Sequence, residues 1–307
     1  MNIVFIDTKY NINLGSSRIW IHDLCNNLNK LNINSKINDN ITKYDIVIYS
    51  KNSHKLIKQS NKLIGLINPE AKYYDEYNNV DFFIVGSIEE KDSLLSFNKN
   101  IFIYPLIESF LTKQKQHVKK DKLIIGYHGN SFHLNEFDPY IKTALEEFHK
   151  TTPIELLCIH DMKTKWKQGK PNIPITEIKY NIATFENDLL SCDIGIVPGV
   201  HDSGSTDSDY IIKFKNKSNS GRCFVFHQLK IPVIGGFIPS NFHILGDENC
   251  GYLAHKKDGW LNALKELSCE NKRQIISNNA LNKFNELYDP LNYTQKLIEF
   301  INKLSKK

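Results

Sequence analysis

A rhythm of short β-branched runs, each followed by a polar loop and then a helical pattern, constrains this chain more than any other feature, and it occurs twice. In the first round, strands are predicted at 2–7, 45–49, 63–67, 81–85 and 101–104, with helical patterns after Gly15 and at 54–59 and 88–97. In the second, strands are predicted at 123–127, 154–159, 175–179, 193–197, 232–234 and 251–254, and helices at 135–149, 183–191, 218–229, 257–267 and 270–287. Runs apolar on both faces belong in a sheet covered on both sides, and strand, helix, strand alternation makes that sheet parallel with right-handed crossovers. The expected class is α/β: two Rossmann-like domains with parallel sheets facing a central cleft, at 1–110 and 123–288. The polar, basic tract between them, 111–122, reads as a solvated interdomain linker. A last helix at 289–307, opened by Asp289-Pro290 and striped by Leu297, Ile298, Ile301 and Leu304, either packs on the second domain or crosses back to the first.

Composition narrows the class of function. The chain has 307 residues, enough for two cores, and its 39 basic against 34 acidic residues leave a net charge of +5. That excess is too mild to indicate nucleic acid, but it suits an anionic ligand or peripheral contact with acidic lipid at the inner face of a membrane. No apolar run approaches the length of a membrane span, and no signal-peptide pattern opens the sequence, so a cytoplasmic location is expected. The six cysteines are scattered without a CxxC pair, which favours buried free thiols over disulfides or zinc. GxGxxG, GxSxG, Walker A and HExxH patterns are absent, which argues against dinucleotide oxidoreductases, hydrolases, kinases and metalloproteases.

One stretch concentrates cations where a phosphate would sit. Lys213, Lys215 and Lys217 lead through Ser218, Asn219, Ser220 and Gly221 to Arg222, and the chain then turns apolar towards Pro232-Val233-Ile234-Gly235-Gly236. This reads as a loop, a buried helix and a buried strand. A helix N-terminus offers free N–H groups and a partial positive charge, so with Lys217 and Arg222 beside it the start of this helix is a candidate diphosphate seat. The alternative is a solvated lysine loop before an ordinary core helix.

Other candidates lie at predicted strand ends. His128, Gly129 and Asn130 follow the first strand of the second domain, where glycine admits a ligand close to the backbone and the two polar side chains can hydrogen-bond beside it. Gly15, Ser16 and Arg18 occupy the matching position in the first domain, with Ser16 or Ser17 as the helix N-cap. Glu70 and Glu108 are delivered by other first-domain strands and are candidates for a general base. His160-Asp161 reads as a rim pair, and the acids Asp202, Asp207 and Asp209 sit in a Ser/Gly-rich loop that calls for no metal.

Two linked Rossmann-like domains, the GYHG loop from Gly126 to Gly129, the CDIGIVP run from Cys192 to Pro198 and the basic helix start before IPVIGG together resemble the GT-B glycosyltransferases, closest to bacterial polysaccharide and lipopolysaccharide sugar transferases. Many of those enzymes carry a glutamate-rich EGFG…E segment where this chain has Lys217 to Arg222, which is similar to a KSNxxR variant. The resemblance implies transfer of a sugar from a nucleotide-diphosphate donor to an acceptor hydroxyl on a glycan, lipid or protein, with no cofactor and no bound metal. Lys217, Ser218, Asn219, Ser220, Gly221 and Arg222 would hold the donor with Gly129 and Asn130. Gly15, Ser16 and Arg18 would face the acceptor, and Glu70 and His128 would act at the reacting centre. A nucleotide-sugar epimerase, a phosphorylase or a non-catalytic binding partner of the same fold are the alternatives.

Overall fold

The computed structural model describes residues 1–307 except 98–99, 138, 164–165, 167–168, 200–219, 248 and 307, together with the side chains of 71, 72, 74 and 136. The chain forms two compact units. Among the described residues, 1–109 and 288–306 make the first, and 110–199 and 220–287 make the second.

The first unit is built on six parallel strands in the order β2-β1-β3-β4-β5-β6. They are β1 (Asn2–Ile6), β2 (Asn34–Ile37), β3 (Ile46–Ser50), β4 (Leu63–Ile67), β5 (Phe82–Val85) and β6 (Ile101–Ile103). Period-2 alternation splits their side chains between two cores. Ile3, Phe5, Ile46, Ile48, Phe82 and Ile84 enter one, whereas Val4, Val47, Tyr49, Phe83 and Val85 enter the other. The first core is closed by α1, a helical segment running through Gly15–Ser17, a π-helical turn Arg18–Asp23 and Leu24–Lys30. Leu297, Ile298 and Ile301 of the terminal helix α9 (Pro290–Ser305) join the same core. The terminal stripe thus packs on the first unit, and Asp289 caps its helix by accepting from the Leu291 and Asn292 amides.

Several first-unit expectations are corrected. Strand β2 is absent from the prediction because its sequence NSKI carries no apolar run; its one fully buried residue is Ser35, held by Asn29 and the Cys25 carbonyl. Ser16 and Ser17 lie inside the first turn of α1 and do not cap it, since Leu14 is the N-cap and the Ser17 hydroxyl turns to Asp7. The pattern at 54–59 is a 3-10 segment, Lys51–Leu56, started by Ser50 accepting from the Asn52 amide. The helix at 88–97 is α2 (Ile88–Leu94), opened by a reciprocal box in which Ser87 accepts from the Glu90 amide and Glu90 reaches back to the Gly86 amide.

The second unit repeats the architecture with six parallel strands in the order β12-β11-β10-β7-β8-β9. These are β7 (Leu123–Gly129), β8 (Ile154–His160), β9 (Ile175–Lys179), β10 (Ile194–Val197), β11 (Val233–Gly236) and β12 (Tyr252–Ala254). Its helices are α3 (Tyr140–His149), α4 (Phe185–Leu190), α5 (Gly221–Gln228), α6 (Pro239–Leu245), α7 (Lys257–Ser268) and α8 (Glu270–Leu287). The helix expected from 135 starts at Tyr140 because 131–137 winds as a 3-10 segment first.

The basic tract at 112–122 differs most from its sequence reading. It is strapped onto the second unit, with Lys115 and His117 buried. The Lys115 amide donates to Leu229 O (2.8 Å) and its ammonium to Leu190 O (2.7 Å). His117 meets Lys230 O, and Arg273 donates to Val118 O. Lys120 donates to both oxygens of the fully buried Asp193, at 2.8 and 3.1 Å. A run of lysines reads as solvent-facing only until a buried carboxylate and helix-end carbonyls give it partners.

Candidate functional site

In the second unit the chain winds β7, β8, β9 to one side, then reverses and adds β10, β11 and β12 on the other. The reversal lies between β7 and β10, and open parallel sheets take ligands beyond the carboxyl ends of the strands at such a switch point. His128 and Gly129 end β7 there. Helix α5, which connects β10 to β11, starts at the same end. It lies tight on the sheet because β10 offers Gly195, where a Cβ would fall 2.6 Å from the Phe226 ring.

Gly129 and Arg222 meet at this point. Gly129 has φ +137°, a conformation that side chains resist, and a Cβ on it would sit 3.1 Å from Arg222 Cδ. The aliphatic stem of Arg222 therefore crosses the end of β7 against bare backbone. Its Nη1 is buried and has no hydrogen-bond partner among the described residues. A guanidinium nitrogen left so is costly unless an acceptor arrives. Ser220, immediately before α5, is buried, and its hydroxyl donates to Asn241 Oδ1 (3.4 Å); Asn241, itself fully buried, donates to Gly236 O (2.9 Å). One α6 side chain thus ties the α5 start to the end of β11.

His128 stands beneath the cluster. Its ring lies edge-on between Phe185 and Phe226, and Nε2 is 3.3 Å from Arg222 O. Burial, with the Arg222 charge adding to it, pushes its pKa down to about 3. It is therefore a neutral hydrogen-bonding group in this setting. Asn130 departs from expectation. Its Oδ1 accepts from the Phe132 amide and its carbonyl from the Tyr127 hydroxyl, so the residue starts the 3-10 segment of 131–137. Gly221 is the first residue of α5. Lys213, Lys215, Lys217, Ser218, Asn219, Asp202, Asp207 and Asp209 lie outside the described residues.

The first unit reverses between β1 and β3, and a small crevice opens there, lined by Asp7, Ser16, Ser17, Trp20, Ser50 and Lys51 among others. Asp7 organises it, accepting from Ser50 Oγ (2.9 Å), Ser17 Oγ (3.2 Å), Asn52 Nδ2 (3.2 Å) and the Lys9 amide (3.1 Å). Ser16 is exposed at the rim, and Gly15 lies against the Arg18 and Glu108 side chains. Arg18 does not offer its guanidinium to a ligand: Nε and Nη2 donate to the Glu108 carboxylate at 2.8 and 2.6 Å, and Nη1 donates to Ile12 O at 3.1 Å. The same pair removes Glu108 as a free base. Glu70, past the end of β4, is half-buried and paired with Lys51 at 3.4 Å. His160 and Asp161 serve locally, on Glu177 and on the Ser131 amide. Asp7 was missed because a single acid at the end of a strand carries no spacing signal; its side-chain partners come from residues 10 to 45 positions away.

No protein-family model and no curated protein sequence matches the chain. Solved structures do resemble it. Sucrose-phosphate synthase from Thermosynechococcus elongatus aligns with a TM-score of 0.70 at 10% identity, over 100% of this chain and 99% of that one. WaaG, a glycosyltransferase involved in lipopolysaccharide biosynthesis, aligns at 0.65 and 10% identity over 96% and 98%. S. aureus TarM, in a complex with Fondaparinux, α-GlcNAc-glycerol and UDP, aligns at 0.60 and 15% identity over 84% of this chain; the chain spans about half, 55%, of TarM's length. No helix among the described residues is long and apolar enough to cross a membrane. With two parallel six-stranded sheets, each flanked by helices and reversing at its first strand, the chain has the fold of the GT-B glycosyltransferases.

Proposed function

We propose that the chain is a glycosyltransferase that takes a nucleotide-diphosphate sugar in its second unit and passes the sugar to an acceptor hydroxyl. The observation that carries this reading is the Arg222 guanidinium, whose Nη1 is buried without a partner among the described residues, beside Gly129 and the start of α5. A diphosphate oxygen supplies the missing acceptor, and the positive end of the eight-residue helix favours the same charge. As the bond to the sugar breaks, charge builds on that oxygen, and fixed cations and amides stabilise it most where water is excluded. Lys217 and the 218–219 backbone complete the proposed donor seat. His128 contributes as a neutral wall of the donor site, and Glu70 is the proposed acceptor-side carboxylate. Leaving-group neutralisation by the chain's own cations predicts activity that persists in chelator.

Calorimetric titration with UDP and GDP tests the reading. Losing one hydrogen bond to a charged group costs about 1.5–3 kcal/mol, so Arg222→Ala should weaken binding roughly 10- to 150-fold. Equal affinity in wild type and variant would remove Arg222 from the donor site. Absence of binding by the wild-type chain to any nucleoside diphosphate would end the proposal.

A further inference from the structure

The carboxyl edge of the second-unit sheet carries an aromatic corner that the fold leaves in water. Phe237 follows β11 directly, its amide donating to Ala254 O (3.0 Å), and Phe242 lies on α6, its amide donating to Ile238 O (2.8 Å). Phe237 is 59% exposed, the most exposed large apolar side chain among the described residues, and Phe242 is 56% exposed. Their ring centroids are 6.0 Å apart and their planes meet at 64°, so the two rings form the walls of an open corner.

Apolar side chains exposed singly need no explanation, but a touching pair on a fixed mount beside a polar site marks a surface that something covers. The mount here is Asn241. Fully buried, it donates to Gly236 O (2.9 Å) and accepts from Ser220 Oγ (3.4 Å) and Cys223 Sγ (3.6 Å). One side-chain amide therefore joins the corner to the first turn of α5, the turn that carries Arg222.

The sheet supplies the spacing. Gly129 ends β7, β10 lies next to β7, and β11 lies next to β10. Neighbouring strands are about 4.8 Å apart, so Phe237 stands roughly 10 Å along the sheet edge from the contact of Gly129 with Arg222. A diphosphate held by Arg222 carries its sugar on the adjoining oxygen, and one phosphate with one pyranose ring covers that reach. The nucleobase sits at the opposite end of the diphosphate, beyond the ribose. Phenylalanine has no group to pair with a base edge or a hydroxyl; its ring face is apolar and faintly negative, which suits C–H groups.

We infer that Phe237 and Phe242 are specificity-determining residues that receive the C–H face of the donor's pyranose ring, an assignment that rests on the nucleotide-sugar reading above. The rings take the sugar and not the nucleoside.

Calorimetric titration of the full chain with UDP and UDP-glucose, GDP and GDP-mannose, and dTDP and dTDP-glucose tests the assignment. The quantity read is the affinity for the nucleotide sugar relative to that for its bare nucleoside diphosphate. This ratio is internal to each variant, so a change in the amount of folded protein does not move it. In Phe237→Leu and Phe242→Leu it should fall about three- to tenfold, the loss expected of one aromatic contact, and Phe237→Trp should keep it. A ratio unmoved in both leucine variants overturns the inference, whether neither affinity changes or both fall together, as they do if the rings hold the base. A ratio that falls as far in Phe237→Trp as in Phe237→Leu overturns it too. A wild-type chain that binds none of the three nucleoside diphosphates defeats the function reading, and this inference with it, whereas binding with an unmoved ratio defeats the inference alone.

Discussion

Asp193 offers the sharpest test of how the second unit is held together. Its carboxylate is fully buried at the foot of β10, where it accepts from Lys120 at 2.8 and 3.1 Å and from the Ile124 amide at 2.9 Å, with the Lys115 ammonium 3.4 Å away. Burial pulls its pKa up, but the Lys120 hydrogen bond, the Ile124 amide and the two lysine charges outweigh it and hold the group below the ordinary carboxylate value. Asp193→Ala leaves the Lys115 ammonium buried without its counter-charge and the Ile124 amide without an acceptor. Breaking a buried pair from one side costs about 3–5 kcal/mol. For a unit of this size each kcal/mol moves the midpoint by about 2–4 °C, so the transition should fall by roughly 6–20 °C in a calorimetric melt at pH 7. The depressed pKa sets the pH dependence. Stability from the carboxylate is present above its unfolded value of about 3.9 and is lost as pH falls through the folded value. The gap between wild type and Asp193→Asn should therefore close below about pH 4. A loss under about 1 kcal/mol in the alanine variant, or a gap that stays constant down to pH 2, would refute the strap as a charge-paired element.

Two further outcomes follow from single side chains. Glu90 is buried at the head of α2, and burial raises its pKa to about 8 despite the amides it accepts from. A raised carboxyl pKa gives stability present at low pH and lost as pH climbs from about 4.5 through 8, so Glu90→Gln should flatten that decline in denaturant titrations across pH 5–9, and an unchanged slope would count against it. Lys230 follows helix α5 with φ +56°, a position where glycine avoids the strain of a Cβ. Lys230→Gly should raise stability by about 0.5–1 kcal/mol, because the His117 contact uses the Lys230 carbonyl and survives; a destabilised variant would show that the ammonium matters.

Much of the fold is legible in the sequence because parallel strands covered on both faces must be apolar throughout. That is why 46–50, 63–67, 82–85 and 194–197 stand out, while β2, at an edge and mostly polar, does not. The capping box Ser87-x-x-Glu90 carried a readable signal that periodicity passed over. At the site, the pairing of glycine at 129 with a basic helix start at 222 is visible as residue types at strand and helix ends. Their partners are not. Arg18 reads as a free cation because nothing in its neighbourhood announces Glu108, and Asn130 reads as a ligand donor until its amide is seen closing a turn.

The sequence by itself determined the two rounds of strand and helix, the apolar faces that fold them and the glycines that let helices and side chains approach the strand ends. Those follow from local sterics and hydrophobic period, which act between near neighbours. Tertiary structure alone decided which charges are spent. It buried Lys115 and paired it and Lys120 with Asp193, closed Arg18 on Glu108, turned His128 neutral between two phenylalanines and placed the terminal helix on the first unit. Each of those outcomes depends on a partner scores of residues away and on the loss of water around it, and neither is written in a spacing.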